Sequence, residues 1–293
     1  MQKIDRLGWA AGKSFRSYGV RVGIRVNNPE VLDQLEKYFP PGWKPAVSPV
    51  VDRLYSLKVG GSSSRPGVRY FHLLYGNVVR LARTADIEEL FTVFESDLQL
   101  YVAEVTRHRL FVHAGVVGWK GVAILIPGLS FSGKTTLVSE LVRAGATYYS
   151  DEYAVLDRHG RVHPYPRALL IRQNGNQKSS KCPIERLGGV AGRKPLPVGL
   201  VVVSHYRAGS RWRPRQLPEG RGVLALLANT VSARRQPKTA LSTLEHVASR
   251  APVLKGARGE AKEVVDSILH KANGGRPLIS QGGSVHSKTN SPK

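Results

Sequence analysis

An α/β fold follows from three features of the sequence. Residues 128–136 read Gly-Leu-Ser-Phe-Ser-Gly-Lys-Thr-Thr, where two glycines bracket four residues and precede Lys and Thr, the full pattern of a phosphate-binding loop. The apolar run Val122–Ile126 leads into it as a buried strand does, and Leu137, Val138, Leu141 and Val142 leave it at helical spacing until Gly145. Ahead of this strand–loop–helix unit, strand-like and helix-like segments alternate. The pattern predicts a small α+β unit at 1–84, a loop-bearing α/β unit at 85–271 and a disordered basic tail at 272–293.

In the first unit Val20–Val26 alternates as a strand, Pro29–Tyr38 is helical, and Pro40-Pro41-Gly42 breaks the chain. Val50–Val59 and Val68–Leu74 are further strands around an exposed loop, Gly60–Gly67. Asp86 opens a long helix reaching about Arg107. Asp86 and Glu89 form a capping box, and Ile87, Leu90, Phe91, Phe94, Leu98, Tyr101, Val102 and Val105 make one apolar face, expected to pack under the loop-bearing unit. Phe111–Val117 is a strand that turns about Trp119 and returns as the strand entering the loop, a register that sets His113 opposite Leu125. After the loop helix, Ala146–Ser150 is a short strand ending at Asp151-Glu152, and Tyr153–Leu156 with Arg161–His163 forms a hairpin across Asp157–Gly160. Gly175–Gly192 is polar and glycine-rich and reads as a mobile surface loop. Gly199–His205 and Pro252–Lys255 are strands, and Gly220–Ala228, Pro237–Ser249 and Glu260–Lys271 are helices.

A single cysteine, Cys182, excludes an internal disulfide and a thiolate metal site and fits a reducing compartment. The start Met-Gln-Lys-Ile-Asp-Arg-Leu-Gly lacks the apolar core of a signal peptide, and no apolar run approaches the roughly eighteen residues of a membrane span. A soluble cytoplasmic protein without a membrane partner is expected. The formal charge is +23 at pH 7. No zinc finger, helix-turn-helix or aromatic-interleaved RNA motif accompanies it, so solvated basic faces account for most of the excess. The denser stretch Arg193, Lys194, Arg207, Arg211, Arg213, Arg215 and Arg221 suits an acidic protein surface, with nucleic acid the less favoured partner. The sequence leaves room for a homo-oligomer.

The chemistry of the loop follows from its residues. Backbone N–H groups along Gly128, Leu129, Ser130, Phe131, Ser132, Gly133, Lys134, Thr135 and Thr136 would surround polyphosphate oxygens, with the two glycines permitting the tight path. Lys134 supplies a point charge for the β- and γ-phosphates and Thr135 a hydroxyl for Mg²⁺, so ATP and Mg²⁺ are the expected ligands. Asp151 follows the strand after the loop helix and should return to the phosphate end of the sheet, where a carboxylate holds Mg²⁺ or accepts the proton of an attacking hydroxyl. Glu152 is a candidate to share the metal, and His113 to assist proton transfer or touch the γ-phosphate. Each has a plain structural alternative: a turn cap for Asp151, an exposed strand position for Glu152 and a packed strand histidine for His113.

Taken together, Val112-His113-Ala114-Gly115-Val116, the hairpin, Ile124–Gly128 with Lys134-Thr135-Thr136, and Tyr149-Ser150-Asp151-Glu152 resemble the catalytic domain of bacterial HPr kinase/phosphorylase, and more closely the HPr-kinase-like serine kinases. The similarity covers roughly residues 110–172, with a weaker likeness of layout to about 270. It implies a fold like phosphoenolpyruvate carboxykinase around the nucleotide site, ATP–Mg²⁺ on the loop and phosphate passing to a protein serine. By position, His113 matches the family's active-site histidine and Asp151 its proton-handling aspartate, while Glu152 stands for a second aspartate. The family's Glu-Ile-Arg-Gly-Leu-Gly segment is reduced to Leu170-Ile171-Arg172-Gln173, without the glutamate, and residues 1–84 show no likeness to the regulatory domain of HPr kinase. The expected activity is transfer of the γ-phosphoryl group to a Ser or Thr hydroxyl of a protein or peptide, with Lys134, Asp151 and His113 catalytic. The alternatives are a nucleotide-binding regulator without catalysis and a nucleic-acid-associated ATPase.

Overall fold

Two sheets organise the chain, as the alternation of strand and helix patterns requires. The computed structural model describes residues 3–61, 70–129, 132–172 and 179–274. In the first sheet β1 (Ala11–Ser17), β2 (Val20–Val26), β3 (Lys44–Pro45), β4 (Arg53–Lys58), β5 (His72–Gly76) and β6 (Val79–Thr84) lie in the order β3-β1-β2-β4-β5-β6. The parallel neighbours β2 and β4 are joined through α1 (Pro29–Leu35), whose start is fixed by Pro29 and by Asn28, which accepts the Glu30 N–H at 3.1 Å. Val22, Ile24 and Val26, on one face of β2, are buried with Phe15, Tyr55, Leu57 and Leu74.

The helix α2 (Ile87–Val105) lays Leu90, Phe91, Phe94, Leu98 and Val102 on that same face. This corrects the expectation that its apolar stripe packs under the loop-bearing unit. A half-apolar sheet needs cover on that face, and α1 is too short to provide it. Its start also differs in detail. Asp86 caps the Glu88 N–H at 2.9 Å, but Glu89 is drawn to the Thr84 hydroxyl, which accepts the Asp86 N–H at 3.1 Å.

The second sheet contains β7 (Leu110–Trp119), β8 (Val122–Pro127), β9 (Thr147–Ser150), β10 (Tyr153–Leu156) and β11 (Arg161–His163). Next come a separate ribbon of β12 (Leu169–Arg172) and β13 (Ser179–Cys182), then β14 (Leu196–Tyr206), β15 (Arg215–Gln216) and β16 (Val253–Arg258). The order is β11-β10-β7-β8-β14-β16-β15, with β9 on β7, and β8, β14 and β16 are parallel. Four helices flank it: α3 (Lys134–Arg143), α4 (Glu219–Leu227), α5 (Pro237–Ala248) and α6 (Ala261–Gly274). Ile124 and Ile126 of β8 pack with Leu137, Leu141 and Ile268 of α3 and α6, whereas Ala123 and Leu125 pack with Val223, Leu226 and Leu244 of α4 and α5. Both faces of β8 are therefore buried, which is why its sequence is continuously apolar.

The β7–β8 turn consists of Lys120 and Gly121, at φ 46° and 84°, the left-handed pair of a two-residue hairpin. Trp119 consequently faces Val122 and Leu125 faces Val116, not His113. In the corrected register His113 remains at the mouth of the loop, as expected, where its carbonyl accepts the Gly128 N–H at 3.2 Å. Residues 179–187 also differ from the mobile loop expected there. β13 pairs with β12, and a 3₁₀ turn at Ile184–Leu187 buries Ile184 against the α3 core. The helix α6 continues to Gly274, past the expected end at Lys271; the rest of the basic tail, residues 62–67 of the first loop and 175–178 of the second lie outside the described residues. Among the described residues no helix is long and apolar enough to cross a membrane.

The β10–β11 hairpin is held by Asp157, which accepts the N–H groups of His159 at 2.9 Å and Arg161 at 3.0 Å and pairs with His163 Nε2 at 2.9 Å. Burial alone would raise the pKa of Asp157, but the bonds from His163, Arg161 and His159 outweigh it and hold the carboxyl below its usual range. A depressed folded-state pKa stabilises the fold above the unfolded value of about 3.9 and loses that contribution as pH falls through the folded value. Asp157→Ala is therefore expected to cost about 1–2 kcal/mol at pH 7 and progressively less in acid, where the wild-type carboxylate is itself protonated. Urea unfolding at several pH values checks this; an equal cost at pH 7 and in strong acid would exclude the carboxylate as the cause.

Candidate functional site

The segment beginning at Gly128 leaves β8 at the carboxyl edge of the parallel strands. Ser130 and Phe131 lie outside the described residues. Leu129 and Thr136 are exposed, and Ser132 is half-buried. Gly133 precedes α3 at φ 83°, a conformation that favours glycine, and a Cβ there would sit 2.5 Å from Arg258 Nη2. Lys134, only 7% exposed, folds back so that Nζ donates to the carbonyls of Gly128 at 2.8 Å and Leu129 at 2.7 Å. Burial lowers its pKa against the opposing pull of Glu152 and Asp151.

Asp151 reaches this edge because β9 is antiparallel to β7, which is antiparallel to β8, so β9 and β8 end on the same side. Thr135 Oγ1 donates to Asp151 Oδ2 at 3.1 Å and the Tyr148 hydroxyl donates to Oδ1 at 2.9 Å. Burial raises the pKa of Asp151 from its ordinary value in spite of these two bonds and the charge of Arg167. The result is a buried carboxylate of increased basicity beside the loop hydroxyl.

The other two candidates are joined to each other. The main-chain carbonyl of Glu152 lies 2.8 Å from His113 Nδ1. A carbonyl only accepts, so Nδ1 carries the proton and, in the neutral ring, Nε2 carries the lone pair. Burial, aided by Lys134, lowers the pKa of His113 despite the Glu152 carbonyl and Asp151, favouring that neutral form. The side chain of Glu152 is engaged elsewhere: Oε2 accepts from Arg167 Nη1 at 2.9 Å. Arg167 also bonds Glu95 and Gln99 of α2, and Glu95 in turn takes Lys181 Nζ at 2.9 Å. Burial raises the pKa of Glu152, and Arg167 opposes it.

The structure thus brings Lys134, Thr135 and Asp151 together, with His113 alongside, and ties Glu152 to Arg167. Among the described residues no group of three or more His, Cys, Asp and Glu side chains is arranged to hold a metal alone. A cation beside Thr135 and Asp151 would draw further ligands from phosphate oxygens and water, the ordinary habit of Mg²⁺.

Sequence reading did not single out Tyr148, Arg167 or Arg258. Tyr148 reads only as an apolar position of β9, Arg167 follows Pro164-Tyr165-Pro166 with no periodic pattern, and Arg258 is the last residue of a strand. The sequence reading ends that strand at Lys255, whereas it runs Val253–Arg258, and only this longer extent puts Arg258 at the ligand edge of the parallel strands. Compared with known proteins, the chain matches no family model and no curated protein sequence.

Proposed function

We propose that the chain is an ATP- and Mg²⁺-dependent kinase that transfers the γ-phosphoryl group to a Ser or Thr hydroxyl of a protein or peptide, on a nucleotide-binding fold like that of HPr kinase and phosphoenolpyruvate carboxykinase. The observation that carries this reading is the bond from Thr135 to Asp151 beside Lys134. An amine, a hydroxyl and a basic carboxylate converge where a phosphate-binding loop leaves its strand, and these are the groups phosphoryl transfer requires.

In this reading the loop amides and Lys134 hold the phosphates. Thr135, whose hydroxyl hydrogen goes to Asp151, would offer its oxygen lone pairs to Mg²⁺, and the chemistry such a metal supplies when bound is neutralisation of phosphate charge. Asp151 accepts the proton of the acceptor hydroxyl, and His113 is the second candidate to assist that transfer. Glu152 positions His113 through its carbonyl and is itself positioned by Arg167. Exposed Arg207, Arg211, Arg213, Arg215 and Arg221 suit an acidic acceptor surface.

Isothermal titration with ATP–Mg²⁺ tests the binding half. Lys134→Ala removes a charge-assisted contact and is expected to weaken affinity about ten- to a hundredfold. Unchanged affinity would remove the loop from the reading. Labelled ATP incubated with the protein and host extract tests the transfer half, with label expected as alkali-labile phosphoserine or phosphothreonine in polypeptides; label confined to small metabolites would leave a small-molecule kinase.

A further inference from the structure

Arg258 is the most deeply buried guanidinium of the described chain that has no carboxylate partner. It is 2% exposed. Its Nη2 donates to the Gly133 carbonyl at 2.8 Å and Nη1 to the Gly259 carbonyl at 3.1 Å, while Nε has no hydrogen-bond partner among the described residues. Among the half-buried arginines, Arg25 is neutralised by Asp5 at 3.0 Å, Arg53 by Asp97 at 2.8 Å and Arg167 by Glu95 and Glu152, whereas Arg109 bonds the His108 carbonyl at 2.8 Å but is less deeply buried than Arg258. The nearby Glu260 is instead bonded by the Tyr206 hydroxyl at 2.8 Å. Besides the two carbonyls the guanidinium has, among the described residues, only the Tyr206 ring, 5.8 Å from Cζ, and the charge of Glu260 near it, and a buried cation bonded to no carboxylate carries a desolvation cost that an anion would offset.

The position says which anion. Arg258 ends β16, parallel to β14 and through it to β8, so its guanidinium stands at the edge from which the loop departs. It touches the residue immediately before Lys134. Gly133 is favoured there by its left-handed backbone, and a Cβ would sit 2.5 Å from Nη2, so the end of the guanidinium would have to shift to admit a side chain. Asp151 approaches the loop from the β7–β9 side of β8, and Arg258 from the β14–β16 side.

We propose that Arg258 is a second phosphate-binding cation of the nucleotide site, contacting the phosphates that remain with the nucleotide. This rests on the reading of residues 128–136 as an ATP loop. Because the transferable phosphate belongs on the Asp151 flank, Arg258 faces the α- and β-phosphates, and its bidentate fork suits their oxygens. Lys134 and Arg258 then hold the polyphosphate from two sides of the loop.

The test titrates ATP–Mg²⁺ and ADP–Mg²⁺ into the full chain, its Arg258→Gln and Arg258→Lys variants, and Lys134→Ala. Arg258→Gln is expected to lose about ten- to a hundredfold in affinity for both nucleotides, with Arg258→Lys recovering part of the loss. Equal wild-type and Arg258→Gln affinity for both nucleotides would overturn the proposal and leave the loop reading intact. A loss for ATP alone would overturn it too, by moving Arg258 to the transferable phosphate. Failure of the wild type to bind either nucleotide would overturn the loop reading and this one with it. Should Arg258→Gln fail to fold, the charge-retaining Arg258→Lys decides, since wild-type affinity for both nucleotides in that variant would exclude the fork contact.

Discussion

Asp151→Asn is expected to bind ATP–Mg²⁺ within about threefold of wild type and to transfer phosphate about 10² to 10⁴ times more slowly, the usual contribution of a positioned proton acceptor. The change is isosteric, and an amide oxygen can still accept one of the bonds that Tyr148 and Thr135 now make. What it cannot do is take a proton. The burial that raises the basicity of Asp151 also makes its charge costly to the fold, so loss of that charge is not expected to lower the melting temperature. Calorimetric titration with labelled transfer to polypeptides in host extract measures both halves. Wild-type transfer by the variant would reduce Asp151 to a turn residue, and lost binding with retained turnover per bound nucleotide would make it a structural anchor of the loop.

Arg167→Ala is expected to have the largest effect on stability. The guanidinium lies between Glu95 of α2 and Glu152 of the site, with Gln99 as a third partner, and the Arg167, Glu95 and Glu152 side chains are 18%, 12% and 35% exposed. Removing it leaves two largely buried carboxylates; among the described residues Lys181 is then the one cation bonded to Glu95, and the charge of Lys134 acts on Glu152. Breaking a buried ion pair from one side typically costs about 3–5 kcal/mol, and the upper half of that range applies where two carboxylates are stranded. Urea unfolding at pH 7 gives the value. A cost below about 1 kcal/mol would mean that water screens the cluster as it does a surface pair. Adding Glu95→Gln to Arg167→Ala should recover part of the loss, since it removes one of the stranded charges; strict additivity of the two changes would exclude their coupling.

Much of the fold was legible in the sequence where local chemistry and burial agree. Val20–Val26, Tyr153–Leu156 and Arg161–His163 are strands with the predicted bounds, the last two because the Asp157–Gly160 turn carries its own hydrogen bonds. The five apolar residues of β8 announced a strand buried on both faces. β1 was missed: in Ala-Gly-Lys-Ser-Phe-Arg-Ser only Phe15 and Ser17 are buried, so its apolar alternation is too sparse to see. The His113 register was misjudged because Trp119 was read as part of the turn, whereas Lys120 supplies one of the two left-handed residues; its φ of 46° is unusual outside glycine, Asn and Asp. Asp151 meeting Thr135 was inferable from chain order alone. The pairing of Glu152 with Arg167, and of both with α2, was not, because it joins residues 95, 152 and 167 through contacts that no periodicity encodes.

The two-sided use of α2 has a consequence for how this protein can be divided or recombined. One side of the helix, Leu90 to Val102, is sealed by the first sheet, and the other sends Glu95 and Gln99 to Arg167, one bond from the acidic residue beside Asp151. A chain starting at residue 85 would keep the helix but lose its lid, presenting a stripe of Leu and Phe to water and inviting self-association. A chain ending before residue 85 would lose the helix that covers the face of its own sheet. The first unit is therefore not a detachable appendage. Any exchange of it between related chains has to carry residues 86–105 along, and has to keep an acid at position 95, or the incoming helix will meet Arg167 with no charge to offer it.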